Sequence, residues 1–199
     1  MSADFLIELG TEELPPKSLK KLSNAFTDGI IKGLKDQGLS FKSYQSFAAP
    51  RRLAVIVSEL DRQTPDRDIV NWGPPVKVAF DDNGDPSRAA EAFAKKNDLA
   101  LENLKSLIEN DGQQDKLCVR LTQAGSETKG LLADIINQSL SQLPIPKRMR
   151  WGYKKEEFVR PAQWAVLLFD DEVIKQPILG IEASDTSRGH RFHANKDIQ

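Results

Sequence analysis

The most concentrated apolar stretch of the chain, Trp164-Ala165-Val166-Leu167-Leu168-Phe169, is only six residues long. A bilayer crossing needs about 20 apolar residues, so this stretch reads as a buried strand. A second such run, Phe5-Leu6-Ile7-Glu8-Leu9, is closed by Gly10 near the other end of the sequence. A sheet that takes strands from both ends of the chain is therefore expected. Between the two runs lie two helical patterns. Leu19, Leu22, Phe26, Ile30 and Leu34 recur at three- and four-residue spacing, which predicts an amphipathic helix of about six turns ended by Gly38. Pro15 and Pro16 suit a first helical turn, and Glu12 and Glu13 are expected near its positive end. Leu131, Leu132, Ile135, Ile136 and Leu140 mark a second helix, with Ser126 as its expected cap and Leu143-Pro144-Ile145-Pro146 as its stop.

The remaining segments read mainly as strands and turns. Phe41 to Phe47 and Leu53 to Val57 form an expected strand pair bent at Ala49-Pro50-Arg51-Arg52, since proline cannot donate to a central ladder. Val76 to Phe80 alternates like a strand, and Asp85-Pro86 opens a short helix with Ala89, Ala90 and Phe93 on one side. Ser106 to Glu109 and Lys116 to Leu121 flank Asp111-Gly112 as a hairpin. Val173 to Ile181 reads as the strand after Asp170-Asp171. The expected class is α+β: a mixed, mainly antiparallel sheet with helices 15–37 and 127–142 packed on it. Proline-rich joints suggest an inserted α/β lobe over 72–142, with 1–71 and 143–199 forming the sheet lobe.

Charge narrows the function. Lys plus Arg is 28 and Asp plus Glu is 29, giving net charge −1. That excludes a globally basic nucleic-acid clamp, so any RNA contact has to come from local clusters. The single cysteine, Cys118, excludes an intrachain disulfide framework and points to a reducing compartment; in an alternating strand it reads as buried and inert. Asp4 interrupts the region where a signal peptide needs an apolar run, so a cytoplasmic protein without membrane contact is expected. The final Asp197-Ile198-Gln199 carries no capping signal, so the sequence reads as part of a longer chain.

Self-contained ATP, dinucleotide and zinc-protease sites are not expected, because GxxxxGK[ST], GxGxxG, CxxC and HExxH are all absent. His190 and His193 are the only histidines. With Asp185 they make a thin metal set; a catalytic metal normally takes about three protein ligands, which favours hydrogen-bonded histidines in a basic loop. The clearest local charge lies between Lys147 and Arg160, with six positive and two negative residues, Lys154 among the six. There Lys147-Arg148-Met149-Arg150-Trp151 interleaves cations with a flat aromatic, as nucleic-acid-binding segments do. The competing reading is a solvated strand edge with Trp151 in the core. Strand alternation would turn Arg148 and Arg150 outward together and Met149 and Trp151 inward.

An ordered set of blocks then points to a family. Ile7-Glu8-Leu9-Gly10-Thr11-Glu12-Glu13-Leu14-Pro15-Pro16 resembles the opening of the β subunit of bacterial glycyl-tRNA synthetase. So, in order, do Pro50-Arg51-Arg52-Leu53-Ala54-Val55, Trp72-Gly73-Pro74-Pro75, Leu143-Pro144-Ile145-Pro146-Lys147-Arg148-Met149-Arg150-Trp151-Gly152, Phe158-Val159-Arg160-Pro161-Ala162-Gln163-Trp164 and Gly189-His190-Arg191-Phe192. The resemblance implies a heterotetramer of two α and two β subunits that activates glycine with ATP and transfers it to the 3′ end of tRNA(Gly). It places the class II catalytic site, with ATP and Mg, on the α subunit, and gives the β subunit roles in tRNA recognition and assembly. It supplies no catalytic residue and no cofactor for this segment. The candidates for RNA contact are Arg51, Arg52, Lys147, Arg148, Arg150, Arg188, His190 and Arg191. The alternatives are a free-standing RNA-binding or regulatory module with no catalytic partner, and a small metal- or histidine-dependent hydrolase.

Overall fold

The computed structural model describes residues 2–81, 83–153 and 155–199. Lys154, counted above in the basic run, lies outside them. The first part of the chain runs Ser2–Thr11 (β1), Pro16–Asp36 (α1), Ser43–Ala49 (β2), Arg52–Asp61 (β3) and Arg67–Pro75 (β4). Val76–Ala79 (α2), Arg88–Lys96 (α3), the 3-10 helix Leu101–Leu107, Ile108–Asn110 (β5) and Asp115–Gln123 (β6) follow. Next come Lys129–Ser141 (α4), Met149–Arg150 (β7), Glu157–Phe158 (β8), Ala162–Phe169 (β9) and Glu172–Val173 (β10). Pro177–Ile178 (β11), Ile181–Glu182 (β12), Ser187–Arg188 (β13) and Asp197–Ile198 (β14) complete the order. The chain divides into two compact units, one of Met1–Pro65 with Ser126–Gln199 and one of Asp66–Gly125.

The first unit is a five-stranded sheet in the order β10-β9-β1-β3-β2, with every strand pair antiparallel. Its centre is built from both ends of the chain, as the two apolar runs required. Period-two alternation assigns the faces. Phe5, Ile7 and Leu9 of β1 lie between Val57, Val55 and Leu53 of β3 and Phe169, Leu167 and Ala165 of β9. All nine belong to the main core. Leu22, Phe26, Ile30 and Leu34 of α1 and Leu132, Ile136 and Leu140 of α4 complete it. Each such side chain, fully buried, contributes about 1.5–3 kcal/mol.

The two helices approach closely because α1 presents small residues. A Cβ at Gly33 would stand 2.6 Å from Ile135 Cγ2, and one at Gly29 would stand 2.9 Å from Ser139 Cβ. Ser139 Oγ donates to the Phe26 carbonyl at 2.9 Å, which satisfies a buried hydroxyl. Helix α1 ends where its pattern does. Gly38 takes φ 77°, the Gly38 N–H donates to Lys35 O and the Leu39 N–H to Leu34 O, a Schellman closure.

The second unit is a three-stranded antiparallel sheet in the order β4-β6-β5, with its own core of Ala79, Ala90, Phe93, Ala94, Leu104, Leu117 and Val119. The expected β5–β6 hairpin is present, turned at Asp111 to Gln114. Residues 66–125 make this unit, a shorter stretch than 72–142. Strand β4 belongs to it through its ladder with β6, whereas α4 packs on α1 in the first unit.

Four local expectations are corrected. Val76–Ala79 is a turn of helix rather than a strand; Phe80 N–H donates to the Val76 carbonyl at 3.1 Å, and Ala79 enters the core. Ser87, not Asp85, caps α3, its Oγ accepting from the Ala90 N–H at 3.4 Å, while Asp85 joins the Asp81 turn. Thr128, not Ser126, precedes α4; its hydroxyl donates to the Asp61 carbonyl instead of capping the helix. The first turn of α1 contains no acidic residue, and Glu12 is used elsewhere.

Candidate functional site

The face of the five-stranded sheet opposite the helices carries the polar chemistry. At one end Trp164, Gly10 and Arg52 stand side by side on β9, β1 and β3; the next row is Val166, Glu8 and Ala54. Glu8 is buried there, 9% exposed, and both of its carboxylate oxygens have partners. Trp164 Nε1 donates to Glu8 Oε1 at 2.8 Å, Ser187 Oγ donates to the same oxygen at 2.5 Å, and Arg52 Nη1 pairs with Oε2 at 3.1 Å. The guanidiniums of Arg52 and Arg188 both lie 5.6 Å from the Trp164 ring centroid. Arg52 Nη2 also donates to the Arg188 carbonyl. A buried carboxylate is tolerable only when paired and hydrogen-bonded, and here three donors meet it.

Gly10 is what allows the indole to lie flat on the sheet. A Cβ there would come within 3.0 Å of Trp164 Cε2, Cδ2 and Cζ2. Adjacent to this cluster the neighbouring blocks are tied by their backbones. The N–H groups of Thr11, Glu12 and Leu14 donate to the carbonyls of Arg51, Pro161 and Pro50 at 2.9, 2.9 and 2.6 Å. Arg51 Nη2 pairs with Glu12 Oε2 at 3.1 Å, and Gln163 Nε2 donates to Glu12 Oε1 at 3.1 Å. Arg160 Nε donates to the Glu13 carbonyl at 3.1 Å. Residues 7–16, 50–55 and 158–164 thus converge on one end of the sheet.

The basic run is divided by the fold. Arg148 turns back onto the end of α4, its Nη2 donating to the carbonyls of Ser141 at 2.6 Å and Leu143 at 3.3 Å, and its Nη1 to Glu157 O at 3.4 Å. This corrects the expectation that Arg148 and Arg150 face outward together. A helix C-terminus carries unpaired carbonyls and partial negative charge, and a guanidinium within reach satisfies both. Met149 is 40% exposed rather than inward-facing, while Trp151 packs partly buried on the core. Arg150 pairs with Glu157 across β7–β8 at 3.4 Å and stays largely in solvent; Lys147 is exposed.

The β13–β14 hairpin carries the other candidates. Arg188 pairs loosely with Asp197 at 3.9 Å. His190 Nδ1 accepts the N–H groups of Phe192 and His193, each at 3.2 Å, and the two imidazoles stack at 4.7 Å. Asp185 does not join them, accepting instead from its neighbour Thr186 at 3.0 Å. Among the described residues, no group of three or more His, Cys, Asp or Glu is placed to hold a metal ion. No helix of the described residues is long and apolar enough to cross a membrane.

Reading the sequence alone passed over Glu8, Trp164, Ser187 and Phe192. Glu8 within an apolar strand and Gly10 two residues later were the available signals, since a lone carboxylate in a buried run needs donors and a strand glycine marks a close approach.

The geometry defines an α+β chain whose outer sheet face ties neighbouring loops together by ion pairs and leaves a few cations and rings in solvent. The chain belongs to the glycyl-tRNA synthetase beta subunit family, whose model matches residues 5–199. It is 48% identical over 195 residues to the glycine–tRNA ligase beta subunit of Marinobacter nauticus, covering 98% of this chain and 28% of that one. To the corresponding subunit of Stutzerimonas stutzeri it is 54% identical, with the same coverage. To that of Pseudomonas aeruginosa strain LESB58 it is 53% identical over 200 residues, covering 100% of this chain. The chain spans 28% of the length of these relatives and matches their N-terminal part.

Proposed function

We propose that this chain is the N-terminal part of a glycine–tRNA ligase β subunit and that it works by contacting tRNA(Gly) and supporting assembly with an α subunit. In this reading two α and two β subunits form the ligase in the cytoplasm. The α subunit holds ATP and Mg and joins glycine to the tRNA; this segment orients the RNA and takes no chemical step. The observation that carries the reading is identity near one half along the whole chain to β subunits of that name.

The eight RNA candidates differ in what else holds them, and that difference supports a choice among them. Arg51, Arg52 and Arg148 are committed to Glu12, to Glu8 and to the end of α4. Lys147, Arg150, Arg188 and Arg191 keep most of their charge toward solvent and are the proposed phosphate contacts. His190 shapes the loop that carries Arg191.

The test is co-expression of the full-length chain with the neighbouring α subunit. Recovery of a complex that charges tRNA(Gly) with glycine is expected, with no glycine-dependent ATP–pyrophosphate exchange by the 199-residue chain alone. A full-length chain that binds RNA but neither associates with nor stimulates a synthetase subunit would overturn the reading in favour of a free-standing RNA-binding module.

A further inference from the structure

Phe192 is the most unusual exposed aromatic of the β13–β14 hairpin. It is 82% exposed, at the tip of an eight-residue loop running from Gly189 to Lys196. A large ring left in water costs solvation free energy and normally signals a surface that something covers. The loop holds the ring in place. Gly189 N–H donates to Lys196 O at 2.9 Å, Ala194 N–H to His190 O at 2.8 Å, and the N–H groups of Phe192 and His193 to His190 Nδ1. The base of the loop is fixed to the sheet through Ser187 on Glu8 and through the Arg188 carbonyl, which Arg52 holds.

The surroundings select the occupant. Residues 187–196 contain Arg188, Arg191 and Lys196 and no acidic residue. The Arg191 guanidinium lies 5.6 Å from the Phe192 ring centroid, and the ring of His190 lies 6.2 Å from it. A protein partner with an apolar pocket would meet this ring only by desolvating three cations. An unpaired nucleotide meets both features at once, since its base stacks on the ring and its phosphate faces the cations.

We propose that the 189–196 loop is a stacking finger, in which Phe192 takes an unpaired base of the RNA and Arg191 and its neighbours hold the adjoining phosphates. The inference rests on the RNA-contact reading above and adds to it a residue and a mode of contact. Base–aromatic stacking lost on alanine substitution weakens binding by about tenfold or more, with no change in released counterions.

The experiment uses the full-length chain assembled with its α subunit and titrated with a tRNA(Gly) transcript across a salt series. Phe192→Ala should bind about tenfold more weakly with an unchanged salt slope, and Phe192→Trp should retain affinity and show tryptophan quenching on binding. Both variants of the 199-residue chain should melt as the parent does, since the ring is almost fully exposed in it. In parallel, Lys147→Gln/Arg150→Gln reports on the phosphate contacts through a lower slope. Unchanged affinity in Phe192→Ala, or equal weakening in Phe192→Trp, overturns the stacking finger. If Lys147→Gln/Arg150→Gln still lowers affinity, the RNA reading stands without it; if neither variant alters binding, both readings fall.

Discussion

Gly10→Ala tests whether the outer face of the sheet is a packed lattice or a loose surface. The substitution adds one methyl group to an extended strand residue that faces the Trp164 indole across a single pair of β1 and β9. That methyl would lie within 3.0 Å of three indole carbons, against an ordinary carbon contact of about 3.5–4.0 Å. The ring would have to lift, yet its Nε1–H is committed to Glu8 at 2.8 Å and two guanidiniums lie against it. Overpacking alone costs about 1–3 kcal/mol, and a weakened hydrogen bond to a carboxylate adds to it, so a loss of about 2–4 kcal/mol is expected. Chemical denaturation of the 199-residue chain measures it. Trp164→Ala serves as the second arm of a double-mutant cycle, because it removes the ring that the methyl meets. In that background Gly10→Ala should cost less than about 1 kcal/mol, giving a coupling of at least about 1 kcal/mol. An equal cost in both backgrounds would refute the reasoning and move the effect to the strand backbone.

Three further outcomes follow from named contacts. Arg148→Gln should destabilise the first unit by about 1–2 kcal/mol through loss of the carbonyl contacts at the end of α4, read from urea unfolding, and should leave the salt slope of tRNA binding unchanged. The Lys116 ammonium, helped by the N–H groups of Gln114 and Gln113, holds the Asp111 carboxyl down at about 2 from an ordinary 3.8. A depressed carboxylate stabilises the fold above its unfolded value and loses that contribution as pH falls toward the folded one. The β5–β6 turn should therefore loosen between pH 4 and 2, an NMR titration of Asp111 should centre near 2, and a midpoint at 3.8 would count against the turn. Burial, followed by the nearby Glu109 charge, pushes the Cys118 thiol up, so a thiol reagent at pH 8 should label it slowly in the native chain and rapidly in urea.

Much of the scaffold was legible because it obeys short-range rules. The period of Leu22, Phe26, Ile30 and Leu34 located α1, and Gly38 ended it in the left-handed conformation that a closing turn requires. The apolar runs at 5–9 and 164–169 gave the sheet strands from both ends of the chain, and they pair directly as β1 and β9. Val76–Ala79 failed the same kind of reasoning. Four residues of apolar alternation fit a strand or a single helical turn equally well, and the helical turn won by carrying Ala79 into the core of the second unit. The helix caps failed for a similar reason, since Asp85, Ser87, Ser126 and Thr128 can all cap and only the tertiary path chooses among them.

The basic segment shows what a charge run conceals. From the sequence, Lys147, Arg148 and Arg150 are one cluster, and strand alternation assigns Arg148 and Arg150 a common role. In the fold they are spent differently, because α4 ends at Ser141, three residues before Pro144, and leaves its carbonyls within reach of the first arginine. A long side chain answers to the nearest unpaired acceptor, and for Arg148 that acceptor belongs to the preceding helix. The same subtraction removes Arg51 and Arg52, which Glu12 and Glu8 claim across gaps of about forty residues in sequence that no local pattern encodes. The cations left mostly in solvent are a smaller set, Lys147, Arg150, Arg188 and Arg191, and beside Arg191 stands an exposed phenylalanine that a reading for charge had no reason to select. Which cations stay in solvent depends on where the fold places their acceptors, and only the three-dimensional arrangement separates the half-buried pairs of Arg51 and Arg52 from the exposed pairs of Arg150 and Arg188.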